Sequence, residues 1–210
     1  MVVILLCTDK YRKSDRTYGK TPEFDEQQAL AAAMQVFLEK GYEASSISDL
    51  TSRMGIQRPS LYAAFGGKKE LFEAALNKFA QMSLSFIENG MRNAPSVKEA
   101  ARTYFQGIIE GVGGSKPELG CLCVNTMVEL APHDKIYAQF TKDYQTKLTE
   151  LFRQTIENGI RTGELSNRLN AEAVARALTI SAIGLSVTMK TGPDRSYVEN
   201  ATAEILSLLE

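Results

Sequence analysis

The apolar residues of this chain recur at steps of three and four almost throughout, a period that leaves room for little except helices. Phe72, Ala75, Phe79, Met82 and Phe86 advance by 3, 4, 3 and 4, one stripe along a single helix face. Sustained alternation of period two, which a half-buried strand requires, is scarce. Glycine and proline fall mostly where one periodic segment gives way to the next. The pattern predicts an all-α fold of about nine helices.

The first expected helix runs from Asp25 to Lys40 and stops at Gly41. Ser46 and Asp49, three apart, form a capping-box signature for a short helix to Met54, broken by Gly55. Gln57-Arg58-Pro59-Ser60 opens another, with proline in the first turn where no N–H is needed, and Gly66-Gly67 closes it. Longer segments follow from Lys68, from Ser96 (with Val97, Ala101, Tyr104, Ile108 and Val112 inward), and from Leu122 to Leu130. The helix from Lys135 to Arg161 is expected to bury Ile136, Phe140, Tyr144, Leu148, Leu151 and Ile156. Two more run from Ala171 to Lys190 and from Asp194 to Leu209, the last with Tyr197, Ala201, Ile205 and Leu208 as its apolar side.

With 210 residues, 44% apolar and 23% charged, the chain has the make-up of a folded globular protein and the length of one large or two small domains. Three cysteines are too few for a disulfide-built scaffold. A single histidine leaves no ligand cluster for zinc, and no cofactor or metal is expected. Val2–Cys7 is apolar but far short of the ~20 residues that span a bilayer, and it lacks the flanks of a signal peptide. The expected location is cytoplasmic, with no membrane partner.

The net charge of −1 conceals an asymmetry. From Thr8 to Lys20 five bases face two acids, a net of +3; from Ser45 to Lys69 four face one, again +3. Residues 71–210 carry 14 bases and 16 acids. Positive charge gathered in one third of a near-neutral chain points to an N-terminal module that meets an anionic partner.

Two short helices joined at a glycine inside that basic third fit a helix-turn-helix. The second helix of such a pair lies in the DNA major groove with its N-terminal residues toward the base edges. Gln57, Arg58, Pro59 and Ser60 occupy that end, and Arg and Gln are suited to guanine and adenine. Ser46, Tyr62 and Lys68 are placed for phosphates, while Leu61 and Phe65 read as packing residues.

Residues Phe24 to Leu76 resemble the DNA-binding domain of the TetR (tetracycline-repressor-like) transcriptional regulators. The matching run is Phe24-Asp25, Ala29-Leu30, Phe37, Gly41-Tyr42, Ser45-Ser46-Ile47, Leu50, Met54-Gly55-Ile56, Ser60-Leu61-Tyr62, Phe65, Lys68 and Leu71-Phe72. Gly120-Cys121-Leu122 through Val128-Glu129-Leu130 is similar to the regulatory domain of some members. The family's usual aromatic-histidine pair near the end of the reading helix is Ala64-Phe65 here. The resemblance implies a homodimeric repressor of a palindromic double-stranded DNA operator, not an enzyme, released by a small-molecule effector. It also implies a basic N-terminal extension (1–20, expected to be flexible), a helix-turn-helix domain (21–68) and a ligand-binding and dimerisation domain (69–210). The family's basic stretch appears as Arg16-Thr17-Tyr18-Gly19-Lys20-Thr21-Pro22.

Candidate effector-lining residues are Phe86, Tyr104, Phe105, Ile108, Met127, Glu129, Tyr144 and Phe152, whose character favours a hydrophobic or aromatic ligand. Candidate dimer contacts are Leu178, Ser181, Leu185, Tyr197, Ala201, Ile205 and Leu208, on two helices that pair with their symmetry mates. The alternative to a ligand switch is a thiol switch at Cys121 or Cys123. Residues two apart on a helix diverge by about 200°, which disfavours a bridge between them. His133, between Pro132 and Asp134, reads as a turn residue.

Overall fold

A computed structural model describes residues 24–111 and 116–210. The basic extension, Val2–Cys7, Val112 and residues 113–115 lie outside the described residues. Nine α-helices occur among those described, and no strand: α1 (Glu26–Ala44), α2 (Ile47–Met54), α3 (Arg58–Phe65), α4 (Lys68–Asn93), α5 (Val97–Glu110), α6 (Leu122–Glu129), α7 (Lys135–Thr162), α8 (Ala171–Thr188) and α9 (Arg195–Leu206). Short 3₁₀ turns at Pro117–Leu119, Met189–Thr191 and Ser207–Leu209 complete the described path.

Most helix starts carry side-chain caps that the sequence announces. Asp25, Ser46, Ser96, Asp134 and Asn170 each accept a backbone N–H from the first turn they precede. The tight exit of α2 needs Gly55, whose φ of 68° puts it in the left-handed region. α1 behaves differently from a helix that simply stops. Gly41 leaves helical geometry at φ 78°, ψ 176°, and one more turn then runs to Ala44.

α1, α2 and α3 form a small body around Leu50 and Leu61, both fully buried. α4 starts against that body and continues into a bundle with α5–α9, so one helix belongs to both halves. Phe37, Tyr42, Phe72 and Tyr137 pack ring against ring across the junction, with centroid separations of 4.8–6.4 Å. α7 packs along α8, and the Thr149 hydroxyl donates to that of Thr179 at 3.0 Å. Ala171–Thr191 is the one helical segment among the described residues long and apolar enough to cross a membrane; Ala175, Leu178 and Ala182 bury it in the bundle.

Three expected stripes turn out otherwise. On α4 the inward face passes from Phe72 and Ala75 to Leu76, Ala80, Ile87 and Met91, leaving Met82 and Phe86 exposed. On α7 Ile136 is exposed and its neighbour Tyr137 is buried. On α9 the buried residues are Val198, Thr202 and Leu206, so Tyr197, Ala201 and Leu208 face outward. In each case apolar residues occupy two helix faces, and periodicity alone does not say which one meets the core.

At Gly159, α7 comes close to the start of α5 and to Leu165. A Cβ there would lie 2.6 Å from Val97 Cγ2 and 3.0 Å from Leu165 Cγ. Gly159→Ala is expected to destabilise the fold by about 1–3 kcal/mol in urea unfolding. Gly90→Ala, on α4 with nothing within 4 Å of the new methyl group, should instead stabilise it by about 0.5–1 kcal/mol.

Candidate functional site

α3, the candidate reading helix, is held from both sides. Ahead of it, the Ser46 hydroxyl accepts the Asp49 N–H at 3.0 Å, and the Asp49 carboxylate accepts the Ser46 N–H at 3.0 Å and O–H at 2.7 Å. Lys40 Nζ adds a bond to Asp49 at 2.6 Å, and these contacts, Lys40's first, hold the Asp49 carboxyl well below the usual carboxylate range. Leu61 anchors α3 inward with no exposed surface. The opposite side presents Gln57, Arg58 and Pro59 to solvent, with Tyr62 52% exposed one turn on. Lys40 and Arg53 are paired with Asp49 and Glu39; among the described residues no ion pair engages Arg58.

Behind the reading helix, α6 reaches back to the end of α1. The Glu129 carboxylate accepts the N–H of Tyr42 at 3.0 Å and of Glu43 at 2.8 Å, the first free donors after the break at Gly41. Only a glycine fits at position 41: a Cβ would stand 2.8 Å from Glu129 Oε2, and φ is positive. Lys68, at the start of α4, donates to the Glu43 carbonyl at 3.3 Å and lies 4.5 Å from the centroid of the Tyr42 ring. Burial, chiefly, pushes the Tyr42 phenol up.

Within the bundle a cavity of about 570 Å³ opens between α1, α4, α5, α7 and α8. Phe79, Phe86, Met91, Tyr104, Ile108 and Leu148 supply much of its apolar wall, and Met34 and Leu38 of α1 close one side. Its size and apolar lining with a few polar groups are those of a small-molecule site.

Two family models match the chain: bacterial regulatory proteins of the tetR family over residues 29–75, and the tetracyclin repressor-like C-terminal domain over residues 99–205. The second alone covers half of the protein. The chain belongs to the TetR family of transcriptional regulators. This TetR-family chain is 30% identical to the uncharacterized HTH-type transcriptional regulator YezE of Bacillus subtilis, over 91% of its own length and 100% of that protein. It is 27% identical to the HTH-type transcriptional repressor ComR of Escherichia coli, over 89% of its own length and 90% of ComR. Among solved structures, a cysteine mutant of the TetR-family regulator CifR complexed with 26-bp double-strand operator DNA superposes with a TM-score of 0.78. That likeness is at 29% identity and spans 91% of this chain and 100% of CifR. The chain is a DNA-binding transcriptional regulator with a TetR-type fold.

The described geometry sorts the residues singled out from the sequence of this TetR-family regulator. Gln57, Arg58, Pro59, Ser60 and Tyr62 come together at the outer end of α3, Ser60 half-buried. Ser46 gives both its N–H and its O–H to Asp49, so here it serves as the α2 cap; Lys68 is engaged with Glu43 and Tyr42. Phe86, Tyr104, Ile108 and Tyr144 line the cavity. Phe105 and Phe152 do not: both lie in the closed core, edge-on to the Tyr104 ring. Met127 sits outside it, 3.7 Å from the Gln145 amide, and Glu129 is occupied by the α1 backbone. Leu178 is fully buried and Leu185 nearly so within the protomer's own core, so neither has surface to give a partner. Ser181 and Ile205 are half-buried, and Tyr197, Ala201 and Leu208 are exposed. His133 is exposed in the turn before α7, where its N–H donates to the Leu130 carbonyl.

Sequence reasoning missed Met34, Leu38, Ser83 and Cys121 as cavity residues. Met34 and Leu38 belong to the face of α1 that reads as ordinary core, and no local pattern marks a core face that also borders a cavity. Cys121 precedes α6 in extended geometry, while Cys123 is wholly buried within the helix. A hydrogen bond from Cys123 and others from backbone N–H groups and Tyr144 pull the Cys121 thiol down to about 7 against the effect of burial. Burial pushes Cys123 well up. A lowered pKa means more thiolate at lower pH. Iodoacetamide should therefore alkylate Cys121 with a rate that rises to half its plateau near pH 7, and Cys123→Ala should move that midpoint upward. A rate still climbing through pH 9 would contradict the assignment.

Proposed function

We propose that this regulator represses transcription by binding a palindromic operator as a homodimer and lets go when a small hydrophobic or aromatic effector fills the cavity. In this reading residues 21–68 read DNA and residues 69–210 bind effector and dimerise, and the chain acts in the cytoplasm without catalysis. The observation that carries it is the division of α3: Leu61 buried beneath, Gln57, Arg58 and Tyr62 displayed above with no packing role. The operator complex of CifR and the repressor ComR support the DNA partner and the sign of regulation. Ile180, Tyr197 and Leu208 supply an apolar outward face on α8 and its successors, 69%, 66% and 42% exposed, suited to a second copy. Two subunits must then set their reading helices about 34 Å apart to meet successive major grooves. The size and apolar lining of the cavity favour this ligand-responsive reading over a thiol switch.

DNA selected from a random pool should yield a palindrome that takes two chains per site, with affinity falling steeply as salt rises. Arg58→Ala with Tyr62→Ala should lower that affinity at least tenfold while leaving the helical circular dichroism intact. Unchanged affinity in the double variant would place the reading surface elsewhere.

A further inference from the structure

The cavity has one buried polar spot. Ser83 on α4 and Tyr144 on α7 both line it, and their hydroxyl oxygens are 3.2 Å apart. Cys121, ahead of α6, lines it as well, with its sulfur 3.9 Å from the Tyr144 hydroxyl. The Tyr104 phenol on α5 lines the cavity too, with no hydrogen bond of its own among the described residues, and the remaining polar side chains are accounted for. Ser186 returns its hydrogen to the Ala182 carbonyl, and Gln35, Thr103 and Lys116 are exposed to solvent.

Hydrogen counting then gives the chemistry of the missing partner. Two hydroxyls carry two hydrogens, and the bond between them uses one. In its neutral form, below about pH 7, Cys121 is a weak acceptor 3.9 Å away at the limit of sulfur's reach, and the second hydrogen is free for a ligand oxygen. One strong donor is left beside a phenol that is 5% exposed, where an unmet donor is costly. Burial pushes the Tyr144 phenol well up, so it stays a donor across the working pH range. A carboxylate at this spot would be buried; among the described residues the lining cation Lys116 stands in solvent, and Lys190, near Cys121, is spent on the Leu119 carbonyl at 3.1 Å.

We propose that the effector is an uncharged apolar molecule with a carbonyl oxygen, which accepts a hydrogen bond from the Ser83–Tyr144 pair beside Cys121. Its hydrocarbon body lies against Phe79, Phe86 and Ile108, which reach the same cavity from α4 and α5. The inference rests on the cavity being the effector site.

Three naphthalenes of similar size test it by fluorescence titration of the full chain: 2-acetylnaphthalene, 2-ethylnaphthalene and 2-naphthoate. The ketone should bind tighter than the hydrocarbon, and naphthoate weakest. In Ser83→Ala with Tyr144→Phe the ketone-to-hydrocarbon affinity ratio should fall about fivefold to tenfold, the loss of one hydrogen bond. Ser83→Ala alone, at a half-buried position, should lower the ratio in the same direction if the double variant loses its helical circular dichroism. Saturating ketone should also slow iodoacetamide alkylation of Cys121, located by fragment-ion mass spectrometry. An unchanged ratio, tightest binding by naphthoate, no protection of Cys121 or no binding of any probe overturns the proposal. A ratio that changes as expected while the ketone leaves the operator complex intact upholds the subsite and sinks the cavity's role in release.

Discussion

Much of this structure hangs on a carboxylate that caps a broken helix from another part of the chain. α1 gives up helical geometry at Gly41, and the next N–H groups, of half-buried Tyr42 and exposed Glu43, fall beyond the break. Glu129, 86 and 87 residues away, takes both. Hydrogen bonds to a charged group contribute about 1.5–3 kcal/mol each, more than an ordinary pair, and at half-buried Tyr42 the alternative is a poorly met backbone donor. The break, the glycine and the glutamate thus make sense only together. A side chain at position 41 would meet the carboxylate, and loss of the carboxylate would strand the turn that follows.

That contact also fixes where α3 can go. Lys68 ties the same turn to the start of α4, and the rings of Phe37, Tyr42, Phe72 and Tyr137 fill the space between α1, α4 and α7. α3 is carried by α2 and α4, so its outward residues take their position from this junction. The cavity touches the junction from the other side, because Met34 and Leu38 lie on α1 just ahead of the break. Filling that cavity and moving α3 therefore concern one packed neighbourhood, not two sites joined by a long relay.

The fold was largely legible in the sequence, since caps and glycines are local signals. Asp25, Ser46, Ser96, Asp134 and Asn170 cap helices because each can reach its own first-turn N–H groups. The two faces of α3 were legible as well: Arg58 and Tyr62 are exposed and the neighbouring Leu61 is buried. What stayed hidden depends on which way a helix faces. Met82, Ile136 and Tyr197 read as core and are exposed, while Leu178 and Leu185 read as interface and are core. Glu129 illustrates the limit most clearly. A lone acid on an apolar helix suggested a ligand contact, and its partners are backbone groups on α1, invisible to any pattern of side chains.

The direct test of this account is amide hydrogen exchange at Tyr42 and Glu43 in the full chain, before and after Glu129→Ala. The Glu129 cap predicts that both amides are protected in the original protein and exchange much faster in the variant, while amides within Ala29–Leu38 keep their protection. Equal exchange at Tyr42 and Glu43 in the two proteins would contradict it.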